Sequence, residues 1–261
     1  LKPGRDRSVR NRHPWVFGGA IARIEGQAED GDLVAVRDAG GAFLARGYLN
    51  RRSQIAIRLL TWDEAEPIDG EFWHRRLAAS VARRAALAAD PATTAYRLVY
   101  AEADGLPGLI VDRYGDSRHG ENRPDFLVVQ CLTLGVARRQ AEILAALLQA
   151  VPGVAGVYER SDVDVREPEG LPPAAGLWWG VEPPDEVEIR EHGHRFLADL
   201  QRGQKTGFYL DQRPNRQALA RYAAGAEVLD AFAYSGAFGV YAAAAGARSV
   251  VSLDTSAEAL A

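Results

Sequence analysis

The sequence predicts a mixed fold in three consecutive parts: a small β-barrel over residues 1–66, an α+β domain over 67–190, and the beginning of a doubly wound α/β domain over 191–261. Short β-like runs separated by glycine turns indicate the first part. An amphipathic helix followed by apolar runs indicates the second. A strand, a helix and a second strand close the third, and this order requires parallel strands.

The composition is that of an ordinary globular chain and excludes several classes of protein. Hydrophobic residues make up 47% and charged residues 25%, which excludes a disordered chain. The longest weakly apolar stretch, 231–247, contains Ser235 and several glycines, so we expect no membrane span. The single cysteine, Cys131, excludes a disulfide framework and a cysteine-rich zinc module. Since no leader segment opens the chain, a cytoplasmic location is expected.

Both ends of the sequence suggest a piece of a longer protein. The chain of 261 residues begins with Leu1 and contains no methionine. It ends at Ala261, soon after an apparent strand. We therefore expect a fragment whose truncated parallel sheet exposes an apolar edge and apolar faces, and we expect aggregation or association of two copies as a homodimer through that surface.

The first part carries a local excess of basic residues. Residues 1–60 hold eleven Lys and Arg against six Asp and Glu, although the whole chain has a net charge of −4. Such a distribution argues against a uniformly basic coat but favours one basic face. Alternating runs at 33–36, 43–49 and 55–60, with a Gly-Gly turn between the first two, predict hairpins.

The second part should begin with a helix around Trp73 that ends at Asp90-Pro91. Strands are predicted at 97–101, 109–114 and 126–133, and a helix at 136–150. Residues 158–191 contain ten Asp and Glu against three Arg, and their prolines indicate mostly loop. This surface should repel phosphate groups.

The third part should open with a hairpin over 187–190 and 195–200. Its turn contains His192 and His194. The sequence offers no third metal ligand beside them, so we interpret the pair as part of a hairpin turn and expect no metal site. Pro214 suits the first turn of a helix. A strand at 228–232, a helix at 238–245 and a strand at 249–254 then complete a βαβ unit.

The loop of this βαβ unit is the strongest candidate for a ligand site. Gly236 and Gly239 allow a close approach of ligand to backbone, and Asp254 could accept both hydroxyls of an adenosine ribose. The loop lacks the Gly-x-Gly-x-x-Gly pattern that binds a pyrophosphate, which weakens a nucleotide-binding oxidoreductase. S-adenosylmethionine has no phosphate and needs fewer glycines. The alternative is a plain crossover in which Asp254 caps the next helix.

A second candidate is the run from Gly203 to Arg213. Phe208 offers a stacking face there, while Lys205 and Arg213 offer positive charge to a carboxylate or phosphate. The alternative is a simple helix entry with Asp211 as its N-cap.

Four motifs together resemble the ribosomal RNA large-subunit cytosine-5 methyltransferase I family. They are SVRNRHPWVF (8–17), DGLPGLIVDRY (104–114), GQKTGFYLDQR (203–213), and 228–239 with Asp254. The resemblance implies an RNA-binding PUA domain, a central domain and a Rossmann-like methyltransferase domain. It also implies S-adenosylmethionine as cofactor, bound near Thr206, Phe208, Asp230, Tyr234, Ser235, Gly236 and Asp254. Contacts to ribosomal RNA are implied for Lys2, Arg10, Arg12 and His13.

The chain departs from this family in its catalytic groups. No Asn-Pro-Pro loop and no suitable nucleophilic cysteine are present. Cys131 lies in an apolar β-like run and is better explained as a buried small side chain. The resemblance implies 5-methylcytidine as product, so the catalytic residues are expected after Ala261 and the fragment should be inactive. The alternatives are a non-catalytic RNA-binding protein and an RNA guanine-N methyltransferase.

Overall fold

A computed structural model describes residues 1–118 and 124–256 of the chain. Its contacts divide the chain into two units. Unit 1 comprises residues 1–85, 98–112 and 127–182, and unit 2 comprises 86–97, 113–126 and 183–261. The division into three parts remains a prediction, whereas the mixed α and β character is confirmed.

The N-terminal strands of unit 1 form one four-stranded antiparallel sheet in the order β1-β4-β3-β2. They are β1 (Trp15–Val16), β2 (Leu33–Arg37), β3 (Phe43–Leu49) and β4 (Ile57–Thr61), preceded by a short helix, α1 (Arg7–Arg10). The pairing shifts next to Gly47, where a Cβ would lie 2.1 Å from the Arg58 carbonyl oxygen, so glycine permits the close strand approach. The predicted hairpins are confirmed, and closure into a barrel remains a prediction.

The main helices of unit 1 pack against each other. They are α2 (Gly70–Arg83) and α5 (Gln140–Ala150); the short α3 (Ala85–Ala88) follows α2 and lies largely in unit 2, and the short α4 (Leu134–Ala137) precedes α5. Helix α2 begins where the Asp69 carboxylate accepts a hydrogen bond of 3.0 Å from the Phe72 N–H, an ordinary N-cap. Trp73 is fully buried in this unit. The single helix predicted at 136–150 is therefore two helices.

The strands that follow α3 in the chain, up to the next hairpin, form a five-stranded sheet in the order β5-β6-β7-β8-β9. Its strands are β5 (Ala95–Tyr100), β6 (Leu109–Gly115), β7 (Asp125–Cys131), β8 (Gly156–Ser161) and β9 (Ala174–Gly180). The prediction of loop for much of 158–191 was wrong, because β9 pairs antiparallel with β8 there. The prolines of that stretch all fall outside both strands.

Unit 2 contains the predicted hairpin and the predicted βαβ crossover. The hairpin is β10 (Val187–Glu191) with β11 (His194–Ala198), followed by α6 (Arg213–Ala223), with Pro214 in its first turn. Strand β12 (Glu227–Ala231), helix α7 (Ala237–Ala244) and strand β13 (Ser249–Leu253) follow. The two strands are parallel, with Asp230 opposite Ser252. This confirms the fold expected for the end of the chain.

One face of the β12-β13 sheet is apolar and exposed. Leu229, Val251 and Leu253 keep 66%, 60% and 60% of their surfaces accessible. The opposite face, which carries Asp230 and Val250, lies against Gly239 of α7. Association of two copies through the exposed face remains a prediction. Among the described residues, none of the helices has the length and apolar character needed to cross a membrane.

Candidate functional site

The loop between β12 and α7 has an unusual backbone. Phe232, Tyr234 and Gly236 have φ angles of 60°, 49° and 65°, all in the left-handed region. This region is costly for the two aromatic residues and free for glycine. The loop leaves the carboxyl end of a parallel strand, the edge at which open α/β sheets bind ligands. Strained backbone at such an edge is typical of a functional loop.

Asp254 connects this loop to the end of β13. Its Oδ2 accepts a hydrogen bond of 2.8 Å from the Tyr234 N–H, and its Oδ1 accepts one of 2.9 Å from the Ser256 N–H. These backbone donors, Ser256 first and then Tyr234, hold the pKa of the carboxyl below its ordinary value. The side chain is therefore an ionised acceptor at the loop. The bond to Ser256 is local, two residues along the chain, and the alternative role of Asp254 as the cap of a following helix falls on residues outside those described.

Asp230 ties the preceding strand to the first turn of α7. Its Oδ2 accepts a hydrogen bond of 3.0 Å from the Gly239 N–H. Burial raises the pKa of this carboxyl, and the Gly239 donor partly opposes the rise. A Cβ on Gly239 would lie 3.1 Å from Val250 and 3.2 Å from Asp230, so glycine allows the helix to approach both strands closely. Asp230 therefore supports the loop from beneath.

The 203–211 loop lies in the same unit, and its interior half is tightly packed. Thr206 is fully buried, and its hydroxyl lies 2.9 Å from the Tyr114 hydroxyl. Phe208 is 2% exposed, with the Phe196 ring at 5.1 Å and the Arg216 guanidinium at 4.8 Å. The expected stacking face of Phe208 is thus already covered by protein. A direct role of either side chain toward the cofactor remains a prediction.

The charged residues of the 203–213 run are also paired within unit 2. The Lys205 Nζ lies 3.0 and 2.9 Å from the two carboxylate oxygens of Asp211. Arg213 donates to the Thr93 hydroxyl at 2.7 Å. The N-cap position of α6 is Gln212, without a side-chain bond, so the alternative that assigned this cap to Asp211 was wrong.

The structure thus places Tyr234, Ser235 and Gly236 in one loop, with Asp254 at the end of β13 bonded to that loop and Asp230 bonded to the first turn of α7. The Tyr234 hydroxyl in turn reaches the 203–211 loop, accepting from the Gln204 N–H at 3.2 Å. Of the seven predicted cofactor residues, Thr206 and Phe208 lie in the interior of that loop. Among the described residues, no cluster of His, Cys, Asp and Glu could hold a metal ion.

Arg216 and Glu191 were missed by the sequence reasoning. Both are almost fully buried, and they form two hydrogen-bonded contacts of 2.7 and 2.8 Å. Arg216 also donates to the Tyr209 carbonyl at 2.9 Å, and the Tyr241 hydroxyl lies 3.0 Å from Glu191. No periodicity marks these residues, since a charged position on an amphipathic helix is ordinarily exposed. Only the fold reveals that this arginine supports the 203–211 loop.

The predicted RNA contacts of unit 1 differ in how far their charges are already paired. Arg10 binds Asp6 at 2.5 Å and Asp38 at 2.6 Å. Lys2 donates to the Gly19 carbonyl at 2.9 Å. Both side chains thus already have donors engaged within unit 1, although Arg10 stays 53% exposed.

The other two candidates lie beside aromatic rings. The Arg12 guanidinium lies 5.4 Å from the Trp62 ring centre. The His13 Nδ1 accepts a hydrogen bond of 3.2 Å from the Trp15 N–H. Phe17 is 49% exposed and packs edge-on against Trp15, so it offers an accessible aromatic surface in the same unit. All four residues remain predictions as RNA contacts.

Cys131 is confirmed as a buried side chain. It is 1% exposed within β7, and burial raises the pKa of its thiol far above the ordinary value. A thiol that is neither ionised nor accessible is a poor nucleophile.

Comparison with known proteins gives two family matches. A PUA-like domain model matches residues 1–62, and a model of S-adenosylmethionine-dependent methyltransferases matches residues 131–261, half of the chain. Among curated relatives, ribosomal RNA large subunit methyltransferase I of Erwinia tasmaniensis is 44% identical over 260 residues, and that of Klebsiella pneumoniae is 45% identical. These alignments cover all of this chain and 63% and 62% of the relatives, so the chain spans less than two thirds of their length.

Solved structures agree with these matches. A candidate S-adenosylmethionine-dependent methyltransferase from Streptococcus mutans has a TM-score of 0.82 at 26% identity, covering 99% of this chain and 63% of that protein. A candidate methyltransferase solved in complex with SAH has a TM-score of 0.83 at 26% identity, covering 98% and 62%. The resemblance drawn from the four sequence motifs is confirmed.

Proposed function

The chain belongs to the S-adenosylmethionine-dependent methyltransferase family, and from this premise we propose that the protein methylates large-subunit (23S) ribosomal RNA and forms 5-methylcytidine. The curated relatives are named ribosomal RNA large subunit methyltransferase I, and their alignments cover the whole of this chain. The PUA-like match at residues 1–62 supports RNA as the substrate. A cytoplasmic location follows from that substrate.

The observation that carries the proposal is the arrangement of the loop after β12 with Asp254. An ionised carboxylate at the carboxyl edge of two parallel strands suits the hydroxyls of a ribose. The left-handed Gly236 leaves the backbone open to close approach. When bound, S-adenosylmethionine supplies the methyl group. We assign its binding to Asp230, Tyr234, Ser235, Gly236 and Asp254, with Thr206 and Phe208 shaping the neighbouring loop.

The roles of this chain are to bind the cofactor and to bind RNA. Because Cys131 is buried and its pKa is raised, no cysteine within the 261 residues can add to C6 of cytosine. We therefore assign the attacking thiolate and the substrate-binding Asn-Pro-Pro loop to sequence outside this chain. In unit 1, Lys2, Arg10, Arg12 and His13 are assigned to RNA contact.

The proposal is tested by supplying methyl-labelled S-adenosylmethionine and unmodified 23S ribosomal RNA, then analysing the digested nucleosides. The 261-residue chain should bind both ligands and transfer no label. A protein of the relatives' full length that contains this chain should form 5-methylcytidine. RNA binding should weaken as salt rises, because arginine and lysine contacts release counterions.

Each alternative has its own result in this experiment. Label on guanine would support an RNA guanine-N methyltransferase. RNA binding without any cofactor binding would support a non-catalytic RNA-binding protein. Methyl transfer to cytosine by the 261-residue chain alone would contradict the assignment of the nucleophile to other sequence.

A further inference from the structure

Tyr234 lies in the 232–236 loop, between β12 and α7, and its side chain contacts the 203–211 loop. Its hydroxyl accepts a hydrogen bond of 3.2 Å from the Gln204 N–H and donates one of 3.3 Å to the Gly207 carbonyl. Its own backbone N–H donates to Asp254 at 2.8 Å. Through its side chain and its backbone N–H, this one residue therefore joins the 203–211 loop to the 232–236 loop and to the end of β13.

The surroundings of this hydroxyl are closely fitted. A Cβ on Gly203 would lie 3.0 Å from the Tyr234 hydroxyl and 2.4 Å from the Asp199 carbonyl, so only glycine allows this approach. The Tyr209 ring packs edge-on against the Tyr234 ring at 5.5 Å. Tyr234 itself takes a left-handed φ of 49°, a conformation that a tyrosine adopts only when its contacts compensate.

The two halves of the 203–211 loop are held in different ways. The interior half is fixed by buried contacts, through Thr206 to Tyr114 and through the Tyr209 carbonyl to Arg216. In the outer half, Gln204 and Lys205 are exposed. The contact of Tyr234 with the Gln204 N–H reaches this outer half directly. The Tyr234 hydroxyl thus helps to order the outer segment, together with the Tyr209 hydroxyl, which donates to Gln204 Oε1 at 2.5 Å, and the Lys205–Asp211 pair.

We propose that Tyr234 is a positioning residue whose hydroxyl couples cofactor binding at the 232–236 loop to the ordering of residues 203–205. This inference rests on the cofactor site proposed above. A ligand that contacts the 232–236 loop and Asp254 fixes the backbone of Tyr234, and its hydroxyl then fixes the outer segment. Because such coupling is reciprocal, an ordered segment strengthens cofactor binding by the same factor.

The test compares Tyr234→Phe with Tyr222→Phe in the 261-residue chain. Tyr222 is 80% exposed on α6, so its variant makes the same chemical change in the same unit without touching the site. Calorimetric titration with S-adenosylmethionine should give affinity roughly 3- to 10-fold weaker for Tyr234→Phe, the loss expected for one or two hydrogen bonds. Tyr222→Phe should bind like the unaltered chain.

Limited trypsin digestion provides a second measurement. It compares cleavage rates at two places in the same unit, so a change in overall stability does not alter their ratio. Cleavage after Arg202 and Lys205 reports on the outer segment, and cleavage after the exposed Arg248 reports on unit 2 as a whole. Tyr234→Phe should raise the cleavage rate after Lys205 relative to that after Arg248. The cofactor should slow the Lys205 cut in the unaltered chain and do so less in Tyr234→Phe.

Equal cofactor affinity and equal cleavage ratios in the two variants would overturn the coupling while leaving the cofactor site intact. An equal rise at Lys205 and Arg248 would assign the hydroxyl a purely structural role and would also overturn it. Failure of the unaltered chain to bind S-adenosylmethionine would overturn the site itself, and with it this inference.

Discussion

Arg216 and Glu191 form a buried ion pair in which the guanidinium Nε and one terminal nitrogen meet the two carboxylate oxygens at 2.7 and 2.8 Å. The same guanidinium holds the Tyr209 carbonyl and lies over the Phe208 ring. A single pair thus joins strand β10, helix α6 and the 203–211 loop. Its loss would leave an uncompensated charge inside unit 2.

Arg216→Ala should therefore lower the free energy of unfolding of unit 2 by roughly 3–5 kcal/mol, the cost of breaking a buried pair. Arg221→Ala, on the exposed side of the same helix, should change it by less than about 0.5 kcal/mol. Tryptophan fluorescence would report on unit 1, because all five tryptophans lie there. Denaturant unfolding should therefore be followed by circular dichroism. Equal losses in the two variants would contradict a supporting role for the pair.

Gly236 and Gly246 allow backbone strain to be separated from ligand contact. Both have positive φ, 65° and 89°, and no atom lies closer than 4.0 Å to the Cβ that alanine would add to either. Each alanine variant should lose about 1–2 kcal/mol of stability from the left-handed backbone. Only Gly236→Ala should also weaken S-adenosylmethionine binding, measured by titration calorimetry. Similar cofactor affinities in the two variants would place the ligand elsewhere.

Asp230 should make unit 2 less stable as the pH rises. Burial raises its pKa in the folded chain, so the folded chain holds this proton more tightly than the unfolded chain. The contribution to stability is present below the ordinary value of 3.8 and is lost as the pH rises through the raised pKa. Asp230→Asn, which can still accept from Gly239, should therefore gain stability relative to the unaltered chain as the pH rises.

Unfolding free energies measured across this pH window check the prediction. Glu227→Gln on the same strand is the control, since that side chain is 70% exposed. A relative loss of stability in Asp230→Asn with rising pH would contradict a raised pKa for the Asp230 carboxyl.

Cys131 should be chemically silent in the folded protein. Its burial and raised pKa predict no reaction with a thiol reagent until denaturant is added. Cys131→Ala should keep the S-adenosylmethionine affinity within about 2-fold, because β7 supplies no group to the proposed site. Rapid modification of the folded chain, or loss of cofactor binding in the variant, would show that this cysteine has been misassigned.

The sequence predicted the elements whose signals are local. Pro214 marked the first turn of α6, and the order of apolar runs around Gly236 predicted the βαβ crossover to within about one residue at each end. In contrast, β9 was hidden because prolines on both sides suggested loop, while its partner β8 lies more than ten residues away in the chain. Strand pairing of this kind is a tertiary property that a single sequence does not display.

The candidate site shows the same division. Asp254 and Gly236 were singled out because their spacing follows the geometry of a crossover, and their contact with the cofactor stays a prediction. Arg216 and Glu191 were not, because a buried ion pair across 25 residues leaves no periodic signal. Phe208 was interpreted as a free aromatic face, but the packing of Phe196 and Arg216 around it could only be seen in the fold.

Calorimetric titration of the chain with S-adenosylmethionine, beside Asp254→Ala and a control Asp185→Ala, tests the central claim most directly. Asp185 is 85% exposed in the same unit, so its variant removes a carboxylate that lies outside the loop between β12 and α7. The unaltered chain and Asp185→Ala should each bind one cofactor, and Asp254→Ala should bind at least about 10-fold more weakly. No binding by the unaltered chain, or equal binding by Asp254→Ala, would contradict a cofactor site at the loop between β12 and α7.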